Sequence, residues 1–129
     1  MVVLLVDDEP FFRTSVKTML QREGFQVVEA GDGIEACEIL QKTAGIDLVI
    51  ADLLMPRMDG VKVGEMARKQ RADMPILLMT GYGLSIYEQA GGFGFLHKPF
   101  NRQALVQAIR ELVPNAEVRP EQPGQEEST

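Results

Sequence analysis

Five short apolar runs punctuate the chain, at 2–6, 26–30, 47–51, 75–79 and 93–96, and each has the length of a strand. Between them the apolar positions recur at helical spacing. Phe12, Val16, Met19 and Leu20 make one stripe, which predicts a helix over 10–23 ended by Gly24 in a left-handed cap. Further helices are predicted over 34–43 and 61–70, with a short one over 84–90. The last begins at Asn101 as N-cap, carries Leu105, Ile109 and Leu112 on one face, and stops before Pro114. Residues 114–129 are polar, proline-rich and without period, so the expected organisation is one folded domain over 1–113 and a disordered tail over 114–129.

Strands and helices that alternate with short connections predict a parallel sheet with right-handed crossovers and helices on both faces. The first run is apolar without interruption, as in a strand buried on both sides. In such sheets ligands lie beyond the carboxyl ends of the strands. Asp7 and Asp8 follow the first run, Asp52 the third, Thr80 the fourth and Lys98 the fifth. The pattern therefore gathers these polar groups along one edge.

Composition narrows the function. The chain has 129 residues, 45% apolar and 25% charged, as expected of a soluble globular domain. Thirteen Lys and Arg against 19 Asp and Glu leave a formal charge of -6, which argues against direct nucleic-acid binding. No run approaches the roughly 20 apolar residues of a membrane span, and the apolar start has no basic flank, so a cytoplasmic location without membrane attachment is expected. The one cysteine, Cys37, keeps helical spacing with Ile34 and Leu40 and reads as a core thiol.

Singly, an acid or threonine at a strand end is an ordinary loop or cap residue. The set is more informative. Three carboxylates brought together must raise their pKa values or find a cation, and a hard divalent ion accepts oxygen ligands. Mg2+ fits, because it takes one or two carboxylates and keeps its remaining positions for water or phosphate oxygens. No His or Cys cluster invites a softer metal.

The stretches VDDEP at 6–10, DLLMPRMDG at 52–60, MTGY at 79–82 and LHKPF at 96–100 resemble the receiver domain of two-component response regulators, over about 1–113. The resemblance implies a flavodoxin-like (βα)5 sheet in strand order 2-1-3-4-5. It implies that Asp52 accepts a phosphoryl group from a histidine kinase or histidine phosphotransfer domain. By the same carry-over Asp8 binds Mg2+ directly, Asp7 acts mainly through water, and the Leu54 backbone carbonyl is the third protein ligand. Thr80 would bond the phosphoryl group through its hydroxyl and Lys98 would form an ion pair with it. Phe95, three residues before the lysine, stands where the family has its switch aromatic but lacks the tyrosine hydroxyl, and a plain core role is the competing reading. Lys98-Pro99 matches the family's cis peptide. The interval from Thr80 to Lys98 is about one helical turn shorter than usual, and TGY followed by FLHKPF looks most like receivers attached to hybrid histidine kinases. A receiver modifies itself rather than turning over an external substrate. With only 114–129 beyond the domain, output is expected through a downstream protein or a parent protein.

Rival readings fail on named residues. Gly81-Tyr82-Gly83-Leu84-Ser85-Ile86 begins like a dinucleotide fingerprint, but Ile86 replaces its last glycine. A flavodoxin needs a phosphate loop where this chain has Asp7 and Asp8, and a dehalogenase-type phosphohydrolase needs an acid where Leu54 stands. Gly31-Asp32-Gly33 reads as a turn with glycine supplying positive φ, and Asp32 as a helix-start residue rather than a ligand. His97, one residue before the lysine, should face the other side of its strand. Tyr82, Arg57 and Met58 are loop residues near the site. The alternative from another class is a protein-docking module of receiver fold that is never phosphorylated.

Overall fold

The computed structural model describes residues 1–81 and 92–115. Strands β1 (Val2–Val6), β2 (Gln26–Ala30), β3 (Leu48–Asp52), β4 (Ile76–Thr80) and β5 (Gly94–His97) form one parallel sheet in order β2-β1-β3-β4-β5. Helices α1 (Pro10–Arg22), α2 (Gly33–Lys42), α3 (Gly60–Gln70) and α4 (Arg102–Leu112) complete the described elements. The helix expected over 84–90 and the tail from 116 onward lie outside the described residues, while Pro114 and Asn115 form a turn.

The sheet separates two apolar cores because successive residues of each strand face opposite ways. Leu4, Val6, Val49, Ala51, Ile76 and Leu78 pack with Ala36, Leu40, Val63 and Ala67 on one side. Val3, Leu5, Leu48, Ile50, Leu77 and Met79 pack with Val16, Leu20, Leu105 and Ile109 on the other. Covered on both faces, β1 is apolar throughout, and β3 and β4 are apolar up to their last residues, Asp52 and Thr80. That is why their runs carry no alternation.

One helix starts at its predicted cap, Asn101, and another at a cap the pattern did not announce, Asp59. The Asn101 side chain accepts from the Ala104 N–H and that of Asp59 from the Lys62 N–H. At the far end of α1, Gly24 has φ of +92°, a left-handed value that glycine adopts without cost. Three strands begin and end one residue later than the apolar runs do. Asp47 is left outside β3, where its side chain accepts from the Val2 N–H at 2.8 Å, and Pro75 has no N–H to donate. At the other end Asp52 and Thr80 still pair with Met79 and His97 in the ladder. The ladder pairs backbone groups and so continues past the last apolar side chain.

One turn is corrected. Neither Gly31 nor Gly33 has positive φ. Gly33 is needed for room instead: a Cβ there would stand 2.8 Å from Met58 Cβ and 2.9 Å from its carbonyl oxygen.

Candidate functional site

The register decides what meets at the carboxyl edge. Val6 pairs with Ala51, so Asp7 and Asp52 leave β1 and β3 at the same level. Asp52 pairs with Met79, which puts Thr80 one residue farther out, and the Lys98 N–H then donates to the Thr80 carbonyl at 2.7 Å. Carboxylate oxygens of Asp7, Asp8 and Asp52 lie within 4.8 Å of one another. The three acids predicted from the pattern are therefore neighbours.

Their surroundings differ. Asp7 is fully buried, Asp52 partly buried and Asp8 exposed. Asp7 is held on both oxygens, by the Glu9 N–H at 2.9 Å and by Lys98 Nζ at 3.2 Å. Lys98 Nζ also reaches Asp52 Oδ1 at 3.4 Å. Burial holds the Asp52 carboxyl above the usual carboxylate range; the charge of Asp7, and to a smaller degree that of Asp8, adds to this against the pull of Lys98. One lysine does not offset three acids.

Thr80 is buried at the end of β4. Leu54, two residues after Asp52, has an exposed side chain between buried Leu53 and Met55. Phe95 is half-buried against the first core cluster. His97 is exposed, as its strand position requires. The Lys98-Pro99 peptide is cis. Asp32 is the N-cap of α2, accepting from the Glu35 N–H, and it pairs with Arg57, which has φ of +70°. Cys37 is buried with its sulfur 3.5 Å from that of Met58, so both belong to the packing behind the loop. Tyr82 lies outside the described residues.

Several contributors escaped the sequence reading. Arg13 Nη1 donates to the Asp7 carbonyl at 2.6 Å and its Nε reaches Glu29 at 3.1 Å, fixing the backbone from which the acidic pair projects. Gly60 opens α3 under Asp52: a Cβ there would lie 2.5 Å from the Asp52 carbonyl oxygen and 2.9 Å from Leu78. Phe12, read only as part of a core stripe, also places its ring 4.2 Å from Lys98 Nζ. The one available signal was its position, one turn after Asp8 on a helix leaving the same edge.

All the donors in this cluster are hard oxygens. They suit Mg2+ and give no purchase to a soft metal. What the arrangement offers chemically is a partly buried carboxylate, two neighbouring acids whose oxygens could share a cation with it, and an ammonium within reach of two of the three.

Comparison with known proteins gives a consistent picture. The family model described as response regulator receiver domain matches residues 3–110. The chain is 35% identical over 116 residues to the sensor kinase CckA of Brucella abortus, covering 86% of this chain and 12% of the kinase. It is 38% identical over 116 residues to the transcriptional regulatory protein GlrR of Escherichia coli, covering 86% of this chain and 26% of the regulator. The chain thus spans about a quarter or less of these relatives. Among solved structures it resembles response regulator TrrA of Thermotoga maritima in complex with Mg(2+)-BeF, with TM-score 0.77, 33% identity, and coverage of 87% of this chain and 98% of that one.

Proposed function

The chain belongs to the response regulator receiver family, and from that premise we propose that it accepts a phosphoryl group on Asp52 in an Mg2+-dependent reaction with a phosphohistidine donor. The observation that carries this reading is the convergence of Asp7, Asp8 and Asp52 on one another, with Lys98 Nζ 3.2 and 3.4 Å from two of them. The Mg2+ complex of the related TrrA supports the choice of cation.

In this reading Asp8 binds the ion directly, Asp7 mainly through water, and Asp52 and the Leu54 carbonyl complete the protein ligands. When bound, the ion offsets negative charge on the transferring group and its acceptor. Asp52 supplies the nucleophilic oxygen, forming a bond to phosphorus as the bond to the donor breaks. Lys98 pairs with the phosphoryl oxygens, and Thr80 donates its hydroxyl to one of them. A hydrogen bond to a charged group contributes about 1.5–3 kcal/mol, whereas inverting a 1:99 equilibrium takes about 5.5 kcal/mol. Thr80 therefore acts together with Lys98 and the loop amides, and Phe95 relays the change by repacking in its half-buried pocket.

The protein modifies itself and does not turn over an external substrate. Its partners are a histidine kinase or a histidine phosphotransfer domain, and a downstream target or a parent protein such as a hybrid kinase. Its place of work is the cytoplasm; among the described residues no helix is long and apolar enough to cross a membrane.

Incubation with Mg2+ and acetyl phosphate, read by intact mass, should add one phosphoryl group, and Asp52→Ala should abolish it. An unmodified wild type would overturn the assignment and favour the docking module, and an adduct undiminished in Asp52→Ala would place the modification on another residue and overturn the assignment as well.

A further inference from the structure

Lys98 does not extend from the end of β5 into open solvent. Its Nζ is bounded by Asp7 Oδ2 at 3.2 Å, by Asp52 Oδ1 at 3.4 Å, and by the face of the Phe12 ring with its centroid at 4.2 Å. Phe12 comes from α1, not from the lysine's own strand. Its ring is fixed in turn by Phe100, which meets it edge-on at 5.6 Å and 83°. Phe12 is half-buried and packs with the second core cluster, so the ring cannot swing away without disturbing that core.

We infer that Phe12 is a positioning residue for phosphoryl transfer, holding the Lys98 ammonium at the acceptor carboxylate through the face of its ring.

The chemistry favours an aromatic ring at this place. The face of a benzene ring carries partial negative charge and attracts an ammonium within about 6 Å of the centroid. A fourth carboxylate would hold the lysine more strongly, but it would add net charge to a site that already has three acids and must admit an anionic donor. An aliphatic side chain would exclude water without attracting the cation. Phe12 thus adds a contact to the lysine beyond those of the two acids and leaves the cluster's charge unchanged. The ammonium N–H groups of Lys98 stay directed at Asp7 and Asp52, where the proposed reaction brings the phosphoryl oxygens.

This inference rests on the phosphoacceptor reading, and the two can fail separately. The full chain is made with phenylalanine 12 replaced by its mono-, di- and trifluorinated analogues, which keep the ring's shape and progressively drain the charge from its face. The rate of adduct formation with Mg2+ and acetyl phosphate is followed by intact mass, and thermal unfolding is followed in parallel. The rate should fall stepwise with fluorination, by about fivefold at trifluorophenylalanine, while the unfolding midpoint moves little. A rate that stays constant across the series would overturn the inference, as would one that declines only in proportion to the folded fraction. Absence of any adduct in the unsubstituted protein would overturn the phosphoacceptor reading itself.

Discussion

Glu29 on β2 and Asp52 on β3 are both strand carboxylates flanked by charge, yet their settings have opposite signs. Glu29 is one acid between two cations, with Arg13 Nε at 3.1 Å and Lys17 Nζ at 2.8 Å. Those partners, Lys17 first, draw its carboxyl below the usual range despite some desolvation. Asp52 shares one lysine with Asp7, has Asp8 beside it, and is held above that range by burial and by its neighbours' charge. Arg13 touches both regions, since it also binds the Asp7 carbonyl. The same elementary electrostatics is thus used once to stabilise the fold and once at the fold's expense. Only the second arrangement has anything to gain from an added cation.

Removing the shared lysine should have the largest effect on stability. Asp7 is fully buried and Lys98 is its one ion-pair partner among the described residues, so Lys98→Met strands a buried charge. Breaking such a pair costs about 3–5 kcal/mol. The lysine's partial exposure puts the expected loss near the lower end, about 3 kcal/mol in urea unfolding without Mg2+. A loss under about 1 kcal/mol would mean that the acids do not depend on it.

Asp52→Asn should act the other way. Because the folded pKa of Asp52 is raised, its neutral form is favoured by folding. The penalty for its charge is therefore present at neutral pH and disappears as pH falls through the raised value toward the ordinary one, about 3.9. The variant should be more stable than wild type by about 1 kcal/mol at neutral pH, with the gain vanishing in acid, while phosphorylation is lost. Destabilisation at neutral pH would contradict the description of the cluster.

Glu29→Gln supplies the smallest change and the mirror image. A lowered folded pKa gives stability that is present above the ordinary glutamate range and lost as pH falls through the lowered value. The pairs are partly exposed, so the cost should be about 0.5 kcal/mol at neutral pH. Unfolding curves of variant and wild type should converge in acid. If the two variants shift stability in the same direction at neutral pH, the contrast between the regions is wrong.

The sheet was legible because burial on both faces keeps β1 apolar from end to end and β3 and β4 apolar up to their last residues, Asp52 and Thr80. Asp7, Asp8, Asp52, Thr80 and Lys98 were legible because parallel topology delivers every strand's carboxyl end to one edge. The expectation that Asp52 accepts a phosphoryl group rests on the resemblance of four short motifs, not on periodicity. What stayed hidden depends on contacts distant in sequence. Gly60 and Gly33 are required by the close approach of Asp52 and Met58, and no local turn signal announces that. Phe12 looks like any other member of a helical stripe until β5 brings Lys98 over its ring. The one-residue offset of three strands arose because side-chain polarity marks burial and not backbone pairing.

The central claim is that the repulsion among Asp7, Asp8 and Asp52 is kept for a cation, and thermal unfolding of the wild type and Asp8→Asn with and without Mg2+ tests it most directly. Bound at about a hundred times its dissociation constant, Mg2+ should stabilise the wild type by about 2.7 kcal/mol. It should do little for Asp8→Asn. Equal stabilisation of both proteins, or none of either, would contradict the account.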